Sequence, residues 1–258
     1  MVKGLYTAYT GMLNEQRRMD ALANSLANVN TTGFKKEGAT SQAFDDILAY
    51  NIKDKSEFFL TQREGSMVPG VKLGETYVDW SEGPFKETHS DLDLAIAGNG
   101  FFAIEFTSKD GETSTKYTRD GSFTLTQEGD LVTKDGDFVL DTMGNHIRLN
   151  PVQDVRINRA GEIYQNDAQV GTVGITDFED YNYLEHYGEN MWQTVEGANE
   201  VPAAAQVISG YLEQSNVNIV YEMTNMIAIQ RNYESNQRVI TTIDSTLQTA
   251  VNNLGRLT

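Results

Sequence analysis

Few residues in this sequence have the type and spacing that catalysis or metal binding needs. The three histidines, His89, His146 and His186, stand far apart, and none falls in a zinc spacing such as H-E-x-x-H. Cysteine is absent, which removes thiolate metal sites, disulfides and cysteine nucleophiles together. Asp91 and Asp93 flank Leu92 ahead of the apolar run Leu94-Ala95-Ile96-Ala97, and paired carboxylates could do acid–base work or hold a cation. Two solvated residues at the entry to a strand explain the same pattern more simply. Gly98-Asn99-Gly100 lacks the third glycine and the following helix of a dinucleotide fingerprint, and reads as a turn into Phe101-Phe102. Asp135-Gly136-Asp137 begins like a calcium loop but lacks the later glutamate. No catalytic, metal-binding or cofactor-binding residue is assigned, and no cofactor is expected.

What the sequence does carry is two long apolar stripes at its ends. Leu5, Met12, Met19 and Leu26 recur every seven residues, and Ala8, Leu22 and Val29 fill most of the positions three along, with Glu15 the exception. This predicts an N-terminal helix that stops at Asn28-Val29-Asn30-Thr31-Thr32-Gly33, because Asn and Gly accept the left-handed conformation that ends a helix. At the other end, Ile219, Met226, Tyr233, Ile240, Leu247 and Leu254 hold one heptad position six times in succession. Ile229, Ile243 and Ala250 occupy a second row, which Glu222 and Asn236 interrupt. With no Gly or Pro between Val217 and Leu254, the helix would span about 55 Å. Stripes this narrow suit a coiled coil, with each other or with neighbouring copies.

Between the ends, Asp110-Gly111, Asp120-Gly121, Glu128-Gly129-Asp130, Asp135-Gly136 and Gly144-Asn145 are turn signals at short spacing. They separate short strand-like runs such as Ser122–Thr126 and Phe138–Leu140, with further strands expected at Phe101–Phe106, Val155–Ile157, Glu162–Tyr164 and Val170–Asp177. Phe44 to Tyr50 could form a helical turn or two, and the surrounding stretch reads as an extended arm or hairpin. The expected organisation is α+β: an N-terminal helix over 1–35, an arm over 36–75, a β-rich domain over 76–210 and a C-terminal helix over 211–258.

Charge follows the same division. The 258-residue chain carries a net charge of −17. Residues 1–36 hold five Lys/Arg against two Asp/Glu, and residues 217–258 hold three of each. The middle therefore has 12 basic and 32 acidic groups, a net of −20 that would repel a nucleic acid. No run of 18 or more apolar residues suggests insertion in a membrane, and the start has no apolar stretch of signal-peptide length.

Three motifs resemble those of one family. Ala23-Asn24-Ser25-Leu26-Ala27-Asn28-Val29-Asn30-Thr31-Thr32-Gly33-Phe34-Lys35 is similar to the N-terminal signature of bacterial flagellar rod and hook proteins. Ala97–Phe102 followed by Tyr117-Thr118-Arg119-Asp120-Gly121-Ser122-Phe123 resembles their central β motif. Gly210-Tyr211-Leu212-Glu213-Gln214-Ser215-Asn216-Val217-Asn218, with the helix that follows, resembles their C-terminal signature. The resemblance implies a structural subunit of the hollow axial shaft, not an enzyme. It implies terminal helices that pack around a channel, and partners that are other copies and other rod and hook proteins. It also implies passage through the flagellar type III export apparatus without leader cleavage. The chain's length and Leu184–Met191 look like the distal rod, whereas Ala49 to Val68 departs from that pattern; the proximal rod and the hook share the motifs. The remaining alternatives are a wall-associated glycan hydrolase using Asp91, Asp93 or Glu162, and a coiled-coil adhesin.

Overall fold

The computed structural model describes residues 2–45, 47–51, 62–108, 111–188 and 190–254. Asp110 of the first turn signal, residues 52–61 of the expected arm and the last four residues of the C-terminal segment lie outside them. The chain forms two compact units, each discontinuous in sequence.

The first unit comprises Met1–Leu26, Glu37–Asp79 and Asn218–Thr258. Helix α1 spans Val2–Ala27 and helix α2 spans Ile219–Leu254. The start of α2 is set by Asn218, whose side-chain Oδ1 accepts the Tyr221 N–H at 3.1 Å and whose carbonyl accepts the Glu222 N–H at 2.9 Å, as an N-cap does. The expected helical segment from 211 thus begins several residues later, because Tyr211–Glu213 is a strand. The two helices run antiparallel: a methyl placed on Gly4 would meet Ile243 at 3.7 Å, and one on Gly11 would meet Asn236 at 3.0 Å.

Beside the helices, Glu37–Ala43 pairs with Val71–Val78 and Ile47–Asn51 pairs with Gln62–Met67, both antiparallel. The helical turn considered for Phe44 to Tyr50 is therefore not formed; Ile47–Asn51 is instead a strand paired with Gln62–Met67, which begins after ten intervening residues. The face that α1 turns to this ladder is polar. Thr7 donates to the Pro69 carbonyl at 3.1 Å, Asn14 donates to the Ser41 hydroxyl at 2.9 Å, and Ser25 donates to the Glu37 carbonyl at 3.2 Å. Thr10, Asn14 and Ser25 are buried there, while Tyr6, Tyr9 and Leu13 are exposed.

The second unit comprises Ala27–Lys36 and Trp80–Val217 and is β-rich. A nine-stranded antiparallel sheet is built around Phe101–Thr107, which pairs with Thr113–Thr118, Phe138–Val139 and Ile175–Phe178. Smaller ladders join Leu94–Ala97 to Gln206–Ser209 and Phe85–Glu87 to Tyr211–Glu213. Alternate residues of these strands enclose a core that includes Leu94, Ile96, Phe102, Phe123, Val139 and Ile163. Gly129, Gly136 and Gly144 close three successive turns with positive φ, each donating to a carbonyl three residues back. Asp120-Gly121 is not such a turn. Gly121 lies where a Cβ would collide with the Leu94 carbonyl, and its own carbonyl accepts the Leu94 N–H at 3.0 Å, so this glycine permits close backbone approach.

Candidate functional site

The residues considered for chemistry do not converge. His89 lies 3.4 Å from Glu87 at the surface, His146 stacks on Phe138 with ring centroids 4.3 Å apart, and His186 sits 4.9 Å from Trp192. Asp93 forms a bridge with Ser122, and the Glu162 carboxylate accepts the Tyr164 hydroxyl at 2.8 Å. Among the described residues, no group of three or more His, Cys, Asp or Glu is placed to hold a metal ion.

What does converge, inside the β-rich unit, is one segment from each of the three motifs. Their meeting point is Glu213, which is 1% exposed. Its Oε1 accepts Lys35 Nζ at 2.6 Å and the Gly83 N–H at 3.0 Å, and its Oε2 accepts Arg119 at 3.2 Å. Lys35 and Arg119 are themselves buried. Lys35 also donates to the Ser81 carbonyl at 2.8 Å, and Arg119 to the Gly98 carbonyl at 2.9 Å. The guanidinium lies over the Phe101 ring, 5.3 Å from its centroid. Charges taken out of water persist only when they are paired and hydrogen-bonded, and this cluster meets both conditions for its carboxylate. Burial draws the Lys35 ammonium below its ordinary pKa, against the opposing pull of Glu213.

Backbone geometry brings the segments close enough. Gly33 has φ +71° and donates to the Glu213 carbonyl at 2.9 Å, and a Cβ there would collide with the Arg119–Asp120 peptide. Asn190 ties the same point from the other side, donating to the Thr32 carbonyl and to Asp120, each at 3.3 Å. Asn216 Oδ1 accepts the Lys36 N–H at 2.8 Å, and its amide donates to Ser81. Phe34 and Phe123 are buried, Ser215 accepts the Val217 N–H at 3.3 Å, and Asn28 accepts the Thr31 N–H at 3.2 Å in the turn after α1. Asn24 and Asn30 are exposed. Sequence reasoning quoted Lys35 and Glu213 inside the motifs without assigning them a role; the signal was their position beside the glycine and asparagine residues.

The residues expected to form an assembly surface lie on the helices. Leu5, Met12, Met19, Leu26, Met226, Tyr233 and Ile240 are half-buried, and Leu22 is buried. Ile219 and Leu247 are exposed; Leu254 ends α2, and its side chain lies outside the described set.

Three family models match, in chain order: Flagella basal body rod protein over residues 5–35, Flagellar hook protein FlgE/F/G D1 domain over 95–165, and Flagellar basal body rod FlgEFG protein C-terminal over 208–254. The flagellar basal-body rod protein FlgG of Bacillus subtilis is 34% identical over 275 residues, covering 98% of this chain and 99% of that protein. The chain belongs to the flagellar basal-body rod protein family. FlgF of Caulobacter vibrioides, another rod protein, is also 34% identical and covers 100% of both chains. The relatives are rod structural proteins and not enzymes. The rod-family models meet at this junction: Lys35 falls within the first, Arg119 within the second and Glu213 within the third.

Proposed function

We propose that this chain is a subunit of the distal part of the flagellar rod, which polymerises helically through its terminal helices into the hollow drive shaft between motor and hook. The observation that carries this reading is the apolar surface the helices leave uncovered, since beyond Ala8, Leu22 and Ile229 few of their apolar side chains are buried. On α1 the side chains packed on the ladder are Thr10, Asn14 and Ser25, while Tyr6 and Tyr9 are 53% and 49% exposed. On α2, Tyr221 is 59% and Val220 76% exposed. Apolar surface left uncovered on this scale marks a binding face.

The two helices pair as a coiled coil whose seam includes Gly4, Gly11, Asn236 and Ile243. The rows Leu5–Met12–Met19–Leu26 and Ile219–Met226–Tyr233–Ile240–Leu247–Leu254 then meet other copies. A contact between different patches on successive copies propagates as a helical tube when its rotation does not close. Near-neutral ends suit the crowded axis, and the acidic middle keeps free subunits apart. Other rod and hook proteins take the two ends of the stack, and the export apparatus delivers the subunit without a cleaved leader. The distal position rests on the chain's length and on Leu184–Met191.

Deleting the chain from its host and imaging basal bodies tests the reading. A short proximal stub without hook is expected. Loss of the entire rod would move the chain to the proximal rod, and an intact rod and hook would reject the assignment.

A further inference from the structure

The chain crosses between its two units at four places, after Leu26, Lys36, Asp79 and Val217. Three of these crossings are tied together inside the β-rich unit. Lys36 bonds Asn216, Asn216 bonds Ser81, and Lys35 bonds both Ser81 and Glu213. Each residue lies within a few positions of a crossing, so the strands that leave the unit are fastened to one another where they leave. Arg119 and Gly83 fix the same carboxylate to the body of the unit. The remaining crossing is braced by the Asn28–Thr31 turn and by Asn190 on Thr32.

A subunit that only had to stay folded would not need its exits cross-linked at Lys36, Asn216 and Ser81, which lie outside the core centred on Phe102 and Leu94; Arg119, by contrast, also donates to the Ile96 carbonyl of that core at 3.5 Å. A subunit in a rotating shaft does need it: torque reaches the β-rich unit only through these covalent crossings and whatever the two units share. We propose that the Lys35–Glu213–Arg119 cluster, with Asn216 and Ser81, is a torsional coupling that holds the crossing strands as one bundle under load. Glu213 is its positioning residue. The inference rests on the rod assignment above. Hydrogen bonds that join neighbouring segments let them share a load, whereas a single segment would extend about its own dihedrals. Buried charge pairs, screened from salt, keep that tie at any ionic strength.

The test uses N216A, which removes the tie between Lys36 and Ser81 without leaving a buried charge unpaired, and E213Q as the stronger lesion. Three quantities are read in cells and on the purified full-length protein: the number of complete basal bodies, swimming speed in dilute and in viscous medium, and trypsin cleavage after Lys35 and Lys36. For N216A the expected result is a normal number of basal bodies, unchanged speed in dilute medium, and at least a two-fold loss of speed in viscous medium. Cleavage should rise about ten-fold at an unchanged tryptophan-fluorescence melting temperature, because local opening is coupled only weakly to global unfolding. Wild-type speed at both viscosities, or unchanged cleavage in both variants, overturns the coupling. Failure of N216A to assemble rods also overturns it, since the network would then serve assembly and not load. None of these outcomes coincides with an intact rod in the deletion strain, which would reject the rod assignment itself.

Discussion

The two units solve the burial problem in opposite ways. The β-rich unit hides its large apolar side chains: Leu94, Phe101, Phe102, Ile104 and Ile163 are all at most 1% exposed. It can also bury a Lys–Glu–Arg cluster, because the surrounding backbone supplies further hydrogen bonds to all three side chains, although Arg119 Nε is left without one. The helical unit buries Thr10, Asn14 and Ser25 from α1 beside Ala8, Leu22 and Ile229, and leaves Tyr6, Tyr9, Leu13, Val220 and Tyr221 outside. The lesson is that one unit is complete as a single chain, whereas the other presents the surface from which it would gain most when covered.

Five effects on stability probe that contrast, in descending order of expected size. E213Q would leave Lys35 and Arg119 buried without their carboxylate, and should destabilise the β-rich unit by about 3–5 kcal/mol. K35M, which leaves the Arg119–Glu213 pair intact, should cost less, because it removes the cation in excess. Gly33→Ala comes next: it forces a Cβ against the Arg119–Asp120 peptide at φ +71°, and should cost about 2 kcal/mol. All three are checked by thermal melts followed through Trp80 and Trp192, the chain's two tryptophans, whose rings lie 4.6 Å apart inside this unit.

The fourth is pH. Burial and a hydrogen bond to Asp177 push the Tyr181 hydroxyl from 10.0 up to about 12, and burial raises Tyr117 likewise. Unfolded tyrosine ionises first, so this contribution is fully present below pH 10 and is lost as pH rises toward 12. The tryptophan-monitored melting temperature should fall across that window, and Y181F should flatten the fall. The smallest effect on stability should come from L247D, on an exposed face of α2. It should move the melt by less than about 0.5 kcal/mol while abolishing polymerisation in sedimentation assays. Y233D should block assembly in the same assay. A large melting shift from L247D would erase the contrast between the units.

How much of this was legible in the sequence follows the same line. Heptad spacing marks both helices, and the N-cap Asn218 stands just before Ile219, the first residue of the C-terminal heptad row. Glycine-bearing turns locate much of the β region, since φ > 0 at Gly129, Gly136 and Gly144 is a local requirement. The charged junction was not legible as a site. Lys35 and Glu213 are 178 positions apart, and a lone Glu in a strand reads as solvated until the fold brings two cations to it. The burial of Asn14 and Thr10 was equally out of reach, because the Ser41 hydroxyl and the Gly70 backbone they meet are placed by a ladder formed at long range. Asp120-Gly121 misled for a related reason: glycine there admits the Leu94 carbonyl, and a turn was the local alternative.

The contrast between a self-sufficient unit and one completed by neighbours is tested most directly by melting the full-length protein over a wide range of concentrations, with helix followed at 222 nm and the β-rich unit by tryptophan fluorescence. The helical transition should climb with concentration while the fluorescence transition stays fixed. A single transition for both probes, independent of concentration, would contradict the account.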